Sequence, residues 1–146
     1  MTGNLSYTGG NGISVNADDV TIDLMGFRIS GGGSGSGIIA SGRKNLEVRN
    51  GTLSNWLYGF NASVSGTNHR VINVRAEGNS NGINLTGLSH LVKGCTASDN
   101  SGYGINVVGA ATISSNVVNH NGGWALPSPS MRRSLATRYL MPPPVS

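Results

Sequence analysis

Five charged residues recur at a spacing that would bring them together if the chain repeats with the same period: Asp23, Glu47, Arg49, Arg70 and Lys93. Carboxylates gathered in one place can bind calcium, and nearby cations can stabilise negative charge that develops on a substrate. Two carboxylates are few for calcium, which takes about 6–8 oxygen ligands. The alternative is pairing of opposite charges across neighbouring strands on a solvated sheet. We call this set the charged face and take it as the candidate ligand face.

Two histidines form a second candidate site. His69 and His90 each stand two positions before a valine, Val71 and Val92, and are 21 residues apart. They would stack one repeat apart, where two imidazoles can share a metal ion. Zinc takes about four ligands, and no third one falls in this register. We therefore predict no metal site and no cofactor for the chain.

Two tyrosines are candidate aromatic contacts. Tyr58 and Tyr103 each precede a glycine at the same position of the repeat described below, and Trp56 and Trp124 lie nearby. Aromatic rings at such positions can stack on sugar rings, and the alternative is that they shield a corner of the fold. The only cysteine, Cys95, excludes an intrachain disulfide and is interpreted as a small core residue.

The elements that must position these residues follow a repeat of about 22 residues. A Gly–apolar–x–apolar motif begins at five glycines, spaced by 25, 22, 23 and 22 residues: Gly12, Gly37, Gly59, Gly82 and Gly104. Each motif is followed by a second alternating run and then by a third short apolar position. Alternation indicates strands with one buried face. Three short strands in each unit predict one coil of a parallel β-helix, and the units predict about five coils.

Residues at equivalent positions should then lie above one another at about 4.8 Å, the strand spacing of a sheet. One inward column is Ile13, Ile38, Phe60, Ile83 and Ile105, and a second is Ile22, Val48, Val71, Val92 and Ile113. Asn79, Asn100 and Asn121 recur every 21 residues at a turn, where stacked asparagines can hydrogen-bond as a ladder.

Two segments resemble a known family. The run Val20-Thr21-Ile22-Asp23-Leu24-Met25-Gly26-Phe27 and the run Asn50-Gly51-Thr52-Leu53 are similar to the first and second coils of right-handed parallel β-helix proteins of the pectate-lyase-like superfamily. Met25 departs from the asparagine usual there. The resemblance covers Thr2 to Trp124 and implies an all-β, right-handed parallel β-helix. Its members include polysaccharide lyases, polygalacturonases, uronan epimerases, phage tailspikes and proteins without known activity.

The resemblance gives the charged face a catalytic interpretation. In the lyases, carboxylates hold calcium and a basic residue removes the C5 proton of the sugar. The Asp-Pro-His pattern of the epimerases, and the paired aspartates and Gly-His-Gly of the polygalacturonases, are absent from the sequence. The chain also has fewer coils than these enzymes. We therefore favour a module without catalytic activity over an enzyme, with calcium as a cofactor only in the lyase interpretation.

The C-terminal segment breaks the repeat. We divide the chain into a β-helix, residues 1–124, and a proline-rich tail, residues 125–146. A linker is predicted from Ala125 to Ser130, and a short helix from Met131 to Met141 with Ser130 as its N-cap, ended by three prolines. The tail is expected to cap the last coil or to form an oligomer contact, because an uncovered β-helix end exposes unpaired strand edges.

Charge and hydropathy exclude several classes of partner. Residues 1–124 carry seven basic and six acidic side chains, and the tail adds three arginines and no acid. The basic character therefore belongs mainly to the tail, and we predict no nucleic-acid partner. No run of about 20 apolar residues suggests a membrane span, and Met1 to Gly10 lacks a signal-peptide pattern. We expect the cytoplasm for the chain as it stands, or secretion if a leader has been lost.

Together these patterns predict a β-helix module for binding or assembly, directed at a polysaccharide and self-associating through its coil ends or its tail. The first alternative is a lyase or uronan epimerase-like enzyme acting on an acidic polysaccharide. The second is a truncated or recombined gene product that retains no activity.

Overall fold

A computed structural model describes residues 2–123 and 138–140. This part of the chain contains strands and turns and no helix, so it offers no segment with the length and hydropathy of a membrane-spanning helix. The thirteen strands are β1 (Leu5–Ser6), β2 (Ile13–Ser14), β3 (Thr21–Asp23), β4 (Arg28–Ser30), β5 (Ser36–Ile39), β6 (Glu47–Ser54), β7 (Tyr58–Thr67), β8 (Arg70–Glu77), β9 (Asn81–Lys93), β10 (Thr96–Ser98), β11 (Ile105–Ser114), β12 (Val117–Asn119) and β13 (Arg138–Leu140).

Every pairing between these strands is parallel and joins one coil to the next. The predicted inward columns are confirmed, since Ile38 opposes Phe60 and Val48 opposes Val71. Ile38, Phe60 and Val48 are fully buried. A third column of buried side chains completes the core: Ile29, Leu53, Ala76, Ala97 and Val118. Each of the three columns belongs to one parallel sheet, and we number the sheets in the order in which a coil passes through them: the first contains Ile38, the second Val48 and the third Ile29.

The corners between sheets explain why asparagine, glycine and serine are abundant. At the corner after the second strand of each coil, the equivalent residues are Asn50, Asn73, Gly94 and Ser115, with φ of 56°, 53°, 66° and 56°. This left-handed region strains most side chains and is tolerated best by glycine, asparagine and aspartate. Three of these four corners therefore carry asparagine or glycine, and the fourth carries the small residue Ser115.

The predicted asparagine ladder is present, with Asn79 and Asn100 buried and Asn121 half-buried. The Asn79 backbone N–H donates to Asn100 Oδ1 at 3.0 Å, and the Asn100 N–H donates to Asn121 Oδ1 at 3.1 Å. The Trp56 N–H donates to Asn79 Oδ1 at 3.0 Å and so begins the ladder. Each side-chain amide also donates to a backbone carbonyl, as Asn100 does to Ala76 O. The ladder replaces hydrogen bonds that the bent backbone cannot make within a sheet.

The tail differs from the sequence-based prediction where it is described. A helix was expected from Met131 to Met141, but Arg138–Leu140 forms β13, which pairs in parallel with β12. The edge of β12 offers unpaired backbone groups, and a strand satisfies them directly. The linker and the remaining residues of the predicted helix lie outside the described residues.

Candidate functional site

Four members of the charged face form one chain of ion pairs. Arg49 bridges two carboxylates, through Nε to Asp23 at 2.9 Å and through Nη1 to Glu47 at 2.9 Å. Arg70 Nε contacts the other oxygen of Glu47 at 2.9 Å. The Met25 backbone N–H, followed by Arg49, lowers the pKa of Asp23 from its ordinary value. Both carboxylates are therefore held by guanidinium groups, as the charge-pairing alternative describes.

The fifth member, Lys93, lies apart from this chain. Lys93 shares the outward column of Asp23 and Arg49, but Ile72 stands between Arg49 and Lys93. Among the described residues, no ion pair involves Lys93. The structure thus brings together Asp23, Glu47, Arg49 and Arg70.

A groove of about 560 Å³ opens beside Arg70, at the corner that leads into the second sheet. Two small residues, Ala110 and Ala111, line one side of it, and Ala111 lies opposite His90 of the preceding coil. Its lining is mostly polar or small: Asn68, Arg70, Ser89, His90, Leu91, Ala110, Ala111 and Thr112. We call this the Arg70 groove. Only Arg70 among these residues belonged to the predicted ligand face.

Arg70 has donors left for a ligand. Its Nε is the atom that contacts Glu47, and within the described residues its two terminal nitrogens have no hydrogen-bond partner. The side chain is 49% exposed. A guanidinium fixed at one edge can present its terminal nitrogens to a carboxylate, which matches their geometry.

The two histidines stack as predicted beneath the groove. His69 and His90 are 0% and 2% exposed, with ring centroids 5.2 Å apart and planes inclined by 11°. His69 Nδ1 accepts from the Leu46 backbone N–H at 3.3 Å, and His90 Nδ1 accepts from the His69 N–H at 3.2 Å. A histidine whose Nδ1 is an acceptor carries its proton on Nε2 and is neutral.

Burial is the main reason why neither histidine is readily protonated. Desolvation, followed by the neighbouring His90, lowers the pKa of His69 from 6.5 to about 4. Desolvation also lowers the pKa of His90. Both Nε2 atoms are buried and have no hydrogen-bond partner among the described residues. In the same residues, no group of three or more His, Cys, Asp or Glu side chains is placed to hold a metal ion.

The two candidate tyrosines, Tyr58 and Tyr103, lie in one outward column, and Asn81 lies between them. Tyr58 opposes Asn81, and Asn81 Oδ1 accepts from the Tyr103 backbone N–H at 3.1 Å. Tyr103 is 42% exposed and Tyr58 is half-buried. Trp56 is a core residue, 1% exposed, with Nε1 donating to Ile29 O at 3.1 Å. Trp124 lies outside the described residues.

Sequence reasoning missed a second asparagine ladder, on the outer face of the first sheet. Asn84 Nδ2 donates to Asn61 Oδ1 at 3.4 Å, and Asn106 Nδ2 donates to Asn84 Oδ1 at 2.9 Å. The signal was available, because asparagine fills the variable position of the last three Gly–apolar–x–apolar motifs. Most of the groove lining had no such signal, since it varies from coil to coil.

Cys95 is a core residue, as predicted from the sequence. It is 1% exposed, and its Sγ donates to Val71 O at 3.4 Å. Burial raises the pKa of the thiol from 9.0 to about 11, which lowers the fraction of reactive thiolate near neutral pH by roughly 100-fold.

We therefore expect Cys95 in the folded chain to react with a disulfide reagent such as DTNB at least about 100-fold more slowly than in concentrated guanidinium chloride. The measurement is the rate of absorbance change at about pH 8 in each solvent. Equal rates in the two solvents would contradict the buried position.

The fold is a parallel β-helix, and comparison with known families agrees with it. The family described as a right-handed β-helix region matches residues 4–126. The chain therefore belongs to the right-handed β-helix family. No curated protein and no solved structure matches the chain significantly.

Proposed function

We propose that this chain is a β-helix binding module that takes an acidic carbohydrate in the Arg70 groove. The observation that carries the proposal is the anchored guanidinium of Arg70, whose terminal nitrogens have no partner among the described residues. A sugar carboxylate can accept two parallel hydrogen bonds from such a fork. Of the five residues of the predicted ligand face, only Arg70 lines this groove and would contact the ligand.

The rest of the lining suits a carbohydrate. Asn68, Ser89 and Thr112 supply an amide and two hydroxyl groups, which can donate to and accept from sugar hydroxyls. Leu91 and the two alanines supply apolar surface for the C–H faces of a sugar ring. A few polar groups set among small and apolar ones are typical of ligand sites.

The charge pairing favours binding over lyase or epimerase chemistry. Asp23 and Glu47 are both engaged by Arg49, and Glu47 also by Arg70, so calcium would have to displace guanidinium groups from these carboxylates. Arg49 and Arg70 would have to leave those ion pairs to act as bases, and a guanidinium remains protonated in proteins. Lys93, the other basic member, is separated from Arg49 in the column by Ile72. An enzyme acting on an acidic polysaccharide remains the alternative proposal.

Replacing Arg70 by alanine should weaken binding of a galacturonic acid trisaccharide at least about tenfold, since a charge-assisted hydrogen bond contributes roughly 1.5–3 kcal/mol. The measurement is isothermal titration calorimetry at neutral pH and low salt. The matched control is Arg75→Ala, because Arg75 is an exposed arginine in the part of β8 that belongs to the third sheet.

The two variants separate a site from a general charge effect. Loss of binding in Arg70→Ala alone supports the Arg70 groove. Equal weakening in both would indicate attraction to net charge, and the absence of binding by the unaltered chain would remove the carbohydrate proposal.

Assembly is proposed for the ends of the stack. Because β13 pairs with the edge of β12, the tail covers part of one end, which favours a cap over an oligomer contact for these residues. Self-association through the coil ends remains a prediction, which light scattering on the full chain would test.

A further inference from the structure

The walls of the Arg70 groove are built from the residues next to the buried histidines. Asn68 and Arg70 flank His69, and Ser89 and Leu91 flank His90. Asn68 and Ser89 turn the corner with φ of 55° and 62°, while the two imidazoles point inward beneath them. The position of the groove lining therefore depends on how the histidine stack is held.

The stack is held by hydrogen bonds that exist only while the imidazoles are neutral. Each Nδ1 accepts a backbone N–H, from Leu46 in one case and from His69 in the other. A second proton on the ring would occupy the Nδ1 lone pair, so that an imidazole N–H would face a backbone N–H and the hydrogen bond would be lost. Protonation of both rings would also place two like charges 5.2 Å apart in the core.

Few charged groups are placed to stabilise the protonated imidazoles. Asp18 favours protonation of His69, and the Thr86 carbonyl favours protonation of His90, but in each case desolvation outweighs them. Tyr58 is the single ionisable side chain of β7, and β11 has none. From β6 and β8, Glu47 and Arg70 point outward and pair with each other.

We infer that the His69–His90 stack is an acid-sensitive support of the Arg70 groove, so that mild acid opens this corner and releases a ligand bound there. The release of ligand rests on the function proposed above, whereas the opening of the corner does not.

The lowered pKa values determine in which direction the opening of the corner depends on pH. When the corner opens, the histidines regain an ordinary pKa near 6.5 and bind protons that the closed stack does not. Opening therefore becomes more favourable as the pH falls below about 6.5, and the effect saturates near the closed-state pKa of about 4. For His69 alone, the opening constant should rise roughly 20-fold between pH 7 and pH 5.

Hydrogen exchange tests the opening without any ligand. The amides of Leu46 and His69, which donate to the imidazoles, should lose protection roughly 20-fold between pH 7 and pH 5 after correction for intrinsic rates. The internal control is the Cys95 amide, which donates to Asn116 Oδ1 at 2.8 Å at another corner and has no titrating acceptor. Unchanged protection at Leu46 and His69, or an equal loss at Cys95, would overturn the inference.

Binding tests the coupling to the groove. The affinity for the galacturonic acid trisaccharide should fall about threefold from pH 7 to pH 5, where the sugar carboxylates remain ionised, if the ratio of open to closed corner rises from about 0.1 to about 2. The matched variant is His90→Asn, because asparagine can accept a backbone N–H without titrating, as Asn116 does at another corner of the coil. Its affinity should depend less on pH than that of the unaltered chain.

The outcomes of the two experiments are distinguishable. Loss of amide protection with binding that is independent of pH would overturn the coupling. If the trisaccharide does not bind at neutral pH, the proposed function fails, while the exchange data still decide whether the corner is acid-sensitive.

Discussion

Replacing Asn100 by alanine is expected to lower the free energy of unfolding by about 3 kcal/mol, because a buried donor left without a partner costs roughly 1–3 kcal/mol. Asn100 is 1% exposed and lies in the middle of the buried ladder. Its Oδ1 accepts from the Asn79 backbone N–H at 3.0 Å and from Asn79 Nδ2 at 3.1 Å. Its Nδ2 donates to Ala76 O and to Asn121 Oδ1. Alanine removes all four contacts, and the Asn79 N–H remains buried.

Chemical denaturation measures the effect, with Asn106→Ala as the control. Asn106 is half-buried in the outer ladder and donates once, to Asn84 Oδ1 at 2.9 Å. Its loss should cost under about 1 kcal/mol, since water can replace the partner. Similar losses of unfolding free energy in the two variants would show that burial does not determine how much the inner ladder stabilises the fold.

Replacing Gly87 by alanine should be more damaging, at about 4 kcal/mol or more, because backbone strain and overpacking add. Gly87 has φ of +135°, a region that side chains rarely adopt, and an added Cβ would overlap the Gly66 carbonyl oxygen. Gly66, Gly87 and Gly109 occupy one column, and a Cβ on Gly109 would meet Gly87 in the same way. Relief of the overlap would require the two coils to move apart.

The control Gly78→Ala separates the two causes. Gly78 has φ of +63°, and nothing lies within 4 Å of an added Cβ, so only the backbone strain of about 1 kcal/mol should appear. Thermal unfolding of both variants provides the comparison. Equal midpoints would contradict the close packing of the glycine column.

The fold was largely predictable because each coil repeats the same pattern of strands and corners. The glycine spacing fixed the register, so the inward columns and the Asn79–Asn100–Asn121 ladder were assigned from sequence and are confirmed. The stacking of His69 on His90 followed from the same register. The tail has no repeat to fix its register, and there β13 replaced part of a predicted helix.

The sequence alone thus determined which residues share a column, because a parallel stack puts equivalent positions of successive coils in register. Only the tertiary structure decided which atoms of a column meet. It paired Arg49 with Asp23 and Glu47, left Lys93 out of the ion pairs of the described residues, and buried Trp56. It also placed the groove beside Arg70. Those outcomes depend on side-chain length, on corner geometry and on the size of residues in neighbouring coils, and the repeat specifies none of them.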